Sequence, residues 1–256
     1  VLNWNGKEYI RDCLASAFDQ TYPDFIVACV DNGSTDGSRE IVRDEFPDAR
    51  LIALPQNLHY ARGTNAGMEE ALRDPDCEFI VPLNNDTRVD PEWLAALVRA
   101  ADGTAVGSVA AKLLLMDHPD VLNSAGLWIT RDGAAVNRGW LQKDEGQFDL
   151  DADVFGPSGG AALYRRGARE TVGLFDADFV AYLEDVDLAW RIRLGGFAAR
   201  FAPARGEASG DAGDAGDATE ELQLRVTSCS YPNLVARVAG VACPRDAHAV
   251  DLWSPP

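Results

Sequence analysis

The stretch FIVACVDNGSTDGSREIVRDEF, residues 25–46, decides the reading of the fold. Phe25–Val30 is a continuous apolar run of strand length, as expected of a strand buried on both faces. At Asp31 it gives way to DNGSTDGS, whose Asp, Asn, Gly and Ser residues favour turns. Ser38 is placed to cap a helix from Arg39 to about Phe46, and Pro47 lies just past it.

Strand, polar turn and helix in succession make one limb of a βαβ unit, and the same order recurs on both sides of it. Val1–Trp4 reads as the end of a first strand whose earlier residues precede Val1. Tyr9, Ile10, Cys13, Leu14, Ala17 and Phe18 then recur at three- and four-residue spacings, one apolar helix face. Downstream, Leu51–Leu54 is a short strand, and QNLHYARGTNAG, residues 56–67, reads as a polar connection into a helix whose later part is Met68–Arg73. Phe79–Leu83 is a buried strand that stops at Asn84-Asn85-Asp86-Thr87, and Pro91 suits the first turn of a helix over Glu92–Ala101. Ser108–Leu115 is the next strand, and residues 117–150 are expected to be irregular or to form hairpins over the sheet. GPSGGAALYRR, residues 156–166, reads as a glycine loop entering an apolar strand, with helices to follow at Ala168–Val172 and Leu183–Leu194. The fold class is α/β with a mostly parallel central sheet.

With 256 residues and 46% hydrophobic content, the chain supports one sizeable core. Its formal charge of -18 and lack of a Lys/Arg cluster argue against a nucleic-acid partner. Five scattered cysteines without CxxC spacing give neither a disulfide framework nor a zinc site, which fits a reducing cytoplasm. No apolar run reaches the length of a membrane span and no leader pattern opens the chain. After Pro203 the composition turns to ARGEASGDAGDAGDATEE. The expected organisation is a catalytic domain over 1–203, a low-complexity acidic linker over 204–221 and an unassigned tail over 222–256.

Two acidic positions, Asp31 and Asp86, sit where α/β sheets bind ligands, beyond the carboxyl ends of strands, and a third acidic cluster opens a helix. Asp31 follows FIVACV and fits either an Asx-turn or a ligand contact. Asp86 fits an Asn/Asp turn or a hard divalent cation, which takes one or two carboxylates with substrate phosphates. In YLEDVDLAWRIR, residues 182–193, Glu184, Asp185 and Asp187 crowd three carboxylates at a helix start, raising the proton affinity of at least one, as general base work needs. Asp187 and Arg191, four apart, equally suit an i,i+4 ion pair.

Taken in order, LNWNG (2–6), VDNGSTDGS (30–38), NLHYARGTNAG (57–67), LNNDTRVDPEWL (83–94), GPSGGAALYRR (156–166) and GLFDADFVAYLEDVDLAWR (173–191) resemble the family 2 glycosyltransferases, especially their bacterial rhamnosyltransferase-like branch. The resemblance runs from Val1 to about Pro203 and implies a GT-A fold, a Rossmann-like three-layer α/β/α sandwich, with inverting transfer of a hexosyl group from a nucleotide-sugar. It implies that Asn3, Asp31, Arg62, Asn65, Asn84 and Asn85 line the nucleotide-sugar site, and that Asp86 holds Mg2+ or Mn2+. It further implies that Asp185 is the catalytic base, and that Gly159, Glu184, Trp190 and Arg191 border the acceptor or diphosphate. The implied partners are a UDP- or dTDP-sugar and a saccharide or lipid-linked acceptor of cell-wall polysaccharide synthesis, compatible with a cytoplasmic protein at the inner membrane face. The histidine that the family carries shortly after the position of Pro203 is missing, His248 being far along the tail. A non-catalytic nucleotide-binding remnant is therefore the second reading. A sugar-phosphate nucleotidylyltransferase is disfavoured, because LNWNG lacks a glycine- and Arg/Lys-rich phosphate loop.

Overall fold

The computed structural model describes residues 1–150 and 152–208. The linker beyond 208, the tail over 222–256, Cys229, Cys243 and His248 lie outside the described residues. In chain order the elements are β1 (Leu2–Asn3), α1 (Ile10–Phe18), β2 (Ala28–Asp31), α2 (Ser38–Glu45), β3 (Arg50–Ala53), α3 (His59–Leu72), β4 (Phe79–Ile80), β5 (Thr87–Val89), α4 (Trp93–Ala100), β6 (Val106–Leu115), β7 (His118–Ser124), β8 (Leu127–Ile129), β9 (Ala135–Asn137), β10 (Ala152–Asp153), β11 (Ala162–Arg165), α5 (Arg166–Val172), a 3-10 turn (Ala177–Phe179), α6 (Glu184–Leu194) and β12 (Ala198–Ala208).

β1, β2 and β3 pair in parallel, with Leu2 opposite Val30 and Val30 opposite Ile52. A parallel bridge from Leu2 to Asn84 joins this half to the chain leaving β4. The other half runs β10-β12-β6-β11-β4. There β6 and β12 are parallel, while β4 with β11 and β11 with β6 are antiparallel. The crossover helices therefore serve the β1–β3 half, and antiparallel ladders complete the sheet on the side of β11.

The layers follow from strand alternation. Ala161 and Leu163 face a core shared with Cys13 of α1 and Trp93, Leu94 and Leu97 of α4. Ala162 and Tyr164 face the opposite core, shared with Met68 of α3 and Leu188 and Ile192 of α6. All ten residues of β6 are buried, as an apolar central strand requires. Its exception, Lys112, is fully buried and is neutralised by Asp144, with both carboxylate oxygens at 3.0 Å, and by Asp149. That pair pins the 143–149 segment over the sheet. No helix among the described residues is long and apolar enough to cross a membrane.

Several boundaries differ from the sequence reading. β2 starts at Ala28, and Ile26 is exposed although the run 25–30 is apolar. Ser38 is inside α2; the cap position is Gly37 at φ 91°, and Asp36 Oδ1 accepts both the Ser38 N–H and its hydroxyl. The stretch 59–67, expected as a connection, is the first half of α3. Gly63 permits its close packing there, since a Cβ would lie 2.8 Å from both Asn32 Nδ2 and Leu2 Cδ1. β12 continues past Pro203 to Ala208, with Gly206 opposite both Leu113 of β6 and Val89 of β5, so the expected boundary at 203 falls inside a paired strand.

Candidate active site

The carboxyl ends of β1 and β2 meet in a hydrogen-bonded cluster of buried polar side chains. Asn3 Nδ2 donates to Ser38 Oγ at 2.9 Å, and Asn3 Oδ1 accepts from Asn85 Nδ2 at 2.9 Å, joining β1, α2 and the turn after β4. Gly6 is required beside them, because a Cβ there would lie 1.8 Å from Asn85 Nδ2. Asp31 is fully buried and its Oδ2 accepts Arg39 Nε at 2.6 Å. Asn32 fixes the entry to α3, accepting the Leu58 N–H at 2.8 Å and donating to the His59 carbonyl at 3.1 Å. Arg39 and Asn32 were missed as site residues, although both lie in or beside the quoted VDNGSTDGS motif. Arg62 is exposed on α3.

Asn84 is held by its backbone: its N–H donates to the Gly160 carbonyl at 3.0 Å and its own carbonyl accepts the Cys13 thiol. Asp86 is half-buried in the next turn, bordering a cavity of about 30 Å3 shared with Tyr9, Asp12 and Arg88. That is room for one or two waters. Among the described residues no three His, Cys, Asp or Glu side chains converge. Asp12 and Asp86 are the carboxylates that border this cavity, and a hard divalent cation commonly takes one or two carboxylates with phosphate and water.

The loop before α6 is strained. Val180, Tyr182 and Leu183 have φ of 61°, 67° and 68°, each costing on the order of 1–3 kcal/mol for a non-glycine residue. Val180 also forms a γ-turn, with the Ala181 N–H on the Phe179 carbonyl at 2.6 Å. This strain delivers Glu184 and Asp185 to the N-terminal turn of α6, where free N–H groups favour carboxylates. Asp185 accepts the Gly159 N–H on Oδ2 and the Val186 N–H on Oδ1, each at 2.8 Å. Burial raises its pKa, while those backbone bonds oppose the rise. Glu184 is 4% exposed, and Oε2 has no partner among the described residues. Burial first, and the charge of Asp185 second, push its pKa up to about 7.

Tyr60, in the first turn of α3, donates its hydroxyl to the Gly159 carbonyl at 2.6 Å. The position a Cβ of Gly159 would take lies 3.4 Å from Asp185 Oδ2, 3.4 Å from the Tyr60 hydroxyl and 3.5 Å from Glu184 Oε1. Three oxygens from α3 and α6 therefore converge on Gly159. Sequence reasoning gave Tyr60 no role; the motif NLHYARGTNAG contained it, but nothing in the pattern showed that residue 60 would meet residue 159.

Two expected site residues are committed elsewhere. Asn65 clamps the Phe175 backbone, donating to its carbonyl at 2.8 Å and accepting its N–H at 3.0 Å. Arg191 pairs with Asp187 and donates to the Val172 and Leu174 carbonyls at 2.7 and 2.8 Å. That spends its fork on the scaffold instead of a diphosphate. Trp190 is exposed and packs edge-on against Phe155, ring centroids 4.8 Å apart.

Residues 1–173 match the family model described as glycosyl transferase family 2. The chain is 28% identical over 199 residues to the O-antigen biosynthesis protein RfbC of Myxococcus xanthus, covering 74% of this chain and 15% of that protein. It is 27% identical over 227 residues to the N-acetylglucosaminyl-diphospho-decaprenol L-rhamnosyltransferase of Mycobacterium tuberculosis, covering 80% and 72%. Among solved structures, a mannosyltransferase of Pyrobaculum calidifontis in complex with GDP-Man and Mn2+ superposes with a TM-score of 0.58 at 23% identity, covering 81% of this chain and 55% of that one. This likeness bears on the fold and agrees with the expected GT-A architecture.

Proposed function

The chain belongs to glycosyl transferase family 2, and on that premise we propose that it moves a hexosyl group from a nucleoside-diphosphate sugar to an acceptor hydroxyl with inversion. The observation that carries the reading is the convergence on Gly159 of the Asp185 carboxylate, which accepts its N–H, with the Glu184 carboxyl and the Tyr60 hydroxyl beside it. Asp185 Oδ2 takes the acceptor proton as the acceptor O–H bond breaks. The oxygen forms its bond to the anomeric carbon as the bond to the diphosphate opens on the opposite face, so a single displacement inverts the centre. The Tyr60–Gly159 bond and the strained 180–183 loop fix the carboxylates before substrate arrives.

Asn3, Asp31, Asn84 and Asn85 form the floor of the donor site, with Arg62 at its border. When bound by Asp86 and the diphosphate, a divalent cation, Mg2+ or Mn2+, supplies charge neutralisation for the departing phosphate. A saccharide or lipid-linked acceptor fits the relatives' printed names, and a UDP- or dTDP-sugar is the donor of this proposal. Residues 1–208 constitute the catalytic unit on this reading. The test is calorimetric titration of UDP and dTDP with and without Mn2+, on the wild type and Asp86→Ala. Metal-dependent binding that the substitution abolishes supports the donor site; metal-independent binding of equal strength in both removes Asp86 from it.

A further inference from the structure

Gly159 is held from both sides: its N–H by Asp185 Oδ2 at 2.8 Å and its carbonyl by the Tyr60 hydroxyl at 2.6 Å. One glycine thereby connects the first turn of α3 to the first turn of α6. We infer that Tyr60 is a positioning residue for acceptor activation: by gripping the Gly159 carbonyl, its hydroxyl keeps the Gly159 N–H on Asp185. The inference rests on Asp185 being the base.

A phenol has one proton to donate, and here the Gly159 carbonyl takes it. The Tyr60 hydroxyl proton is thereby committed to Gly159 and is not available to Asp185. The Tyr60 ring is fixed for this task. Its centroid is 6.2 Å from that of Phe175, whose backbone is clamped by Asn65 further along α3. The Ala61 N–H donates to the Val180 carbonyl at 3.2 Å, so the start of α3 also anchors the strained loop that delivers Glu184 and Asp185.

The consequence concerns proton affinity. Asp185 faces Glu184 on its own helix, Tyr60 on α3 and Tyr164 on β11, with Asp187 and Arg191 further along α6. Its bond from Gly159 favours the ionised form against burial. Freeing the Gly159 carbonyl lets that bond lengthen, and the Asp185 pKa rises further.

The experiment is a carbon-13 NMR titration of the carboxyl groups in the full chain and in Tyr60→Phe, the Asp185 signal being identified by its loss in Asp185→Asn. The expected result is an upward shift of the Asp185 midpoint in Tyr60→Phe, with faster exchange of the Gly159 amide. An unchanged midpoint and amide in the folded variant overturn the inference. In the wild type, the Tyr60 ring carbon bearing the hydroxyl and the Gly159 amide must both report the Asp185 midpoint. A Tyr60 signal blind to it overturns the inference even where the variant does not fold. Full turnover by Asp185→Asn would remove the base reading while leaving the Tyr60 coupling measurable, so the two failures are distinct.

Discussion

Replacing Gly159 with alanine separates folding from chemistry in this chain. The added methyl would sit 3.4 to 3.5 Å from Asp185 Oδ2, the Tyr60 hydroxyl and Glu184 Oε1, ordinary contact distances, so no neighbour has to move. Gly159 is not among the glycines with positive φ, and alanine adopts its backbone freely. A compatible glycine-to-alanine change stabilises by about 0.4–1 kcal/mol through the unfolded chain, or about 1–4 °C in Tm for a protein of this size. An acceptor oxygen, however, must approach Asp185 Oδ2 to about 2.5–3.0 Å for proton transfer, and the methyl occupies that approach. Losing the base's access should cost at least about 100-fold in turnover, roughly 2.7 kcal/mol. Nucleoside diphosphate release from UDP- and dTDP-sugars, beside thermal melts and nucleotide titration, reads this. A variant with wild-type turnover, or one that melts far below the wild type, would refute the reasoning.

Glu184 links stability to pH. Its folded pKa of about 7 lies above that of an ordinary carboxyl, so its contribution is fully present below the unfolded value near 4.5 and is lost as pH rises through about 7. Glu184→Gln should therefore gain stability relative to the wild type between pH 5 and pH 8, on the order of a few kcal/mol, and parallel melting curves across that range would contradict it. Asn65→Ala leaves the Phe175 N–H and carbonyl without partners, at a cost of about 1–3 kcal/mol each where buried, and chemical denaturation should show the loss while nucleotide affinity stays within a few fold. A large loss of nucleotide binding with unchanged stability would instead return Asn65 to the donor site.

Much of the architecture is legible because burial leaves a period. Ile10, Cys13 and Leu14 face the core of α1 as their spacing requires, and the strand-to-turn change at Val30–Asp31 is visible in composition alone. The first half of α3 is not legible, since His59, Tyr60 and Arg62 are polar residues at the site's edge and Gly63 interrupts helix propensity for the sake of close packing. β12 past Pro203 is hidden for a different reason: its pairing with β6 and β5 is made by backbone groups that an acidic, glycine-containing sequence does not advertise. The carboxylates at 184 and 185 are recognisable from their crowding. Their meeting with other chain segments is not, because it depends on Gly159 and Tyr60, 26 and 125 residues away from Asp185. Arg191 and Asn65 look like ligand contacts in the sequence, whereas the structure spends them on backbone carbonyls and one N–H.

The central claim is that Asp185 removes the acceptor proton, and Asp185→Asn tests it most directly when turnover and nucleotide binding are measured on the same preparation. The account predicts nucleotide binding within a few fold of the wild type and turnover lower by about 100- to 10,000-fold. Turnover equal to the wild type, with binding intact, would contradict it.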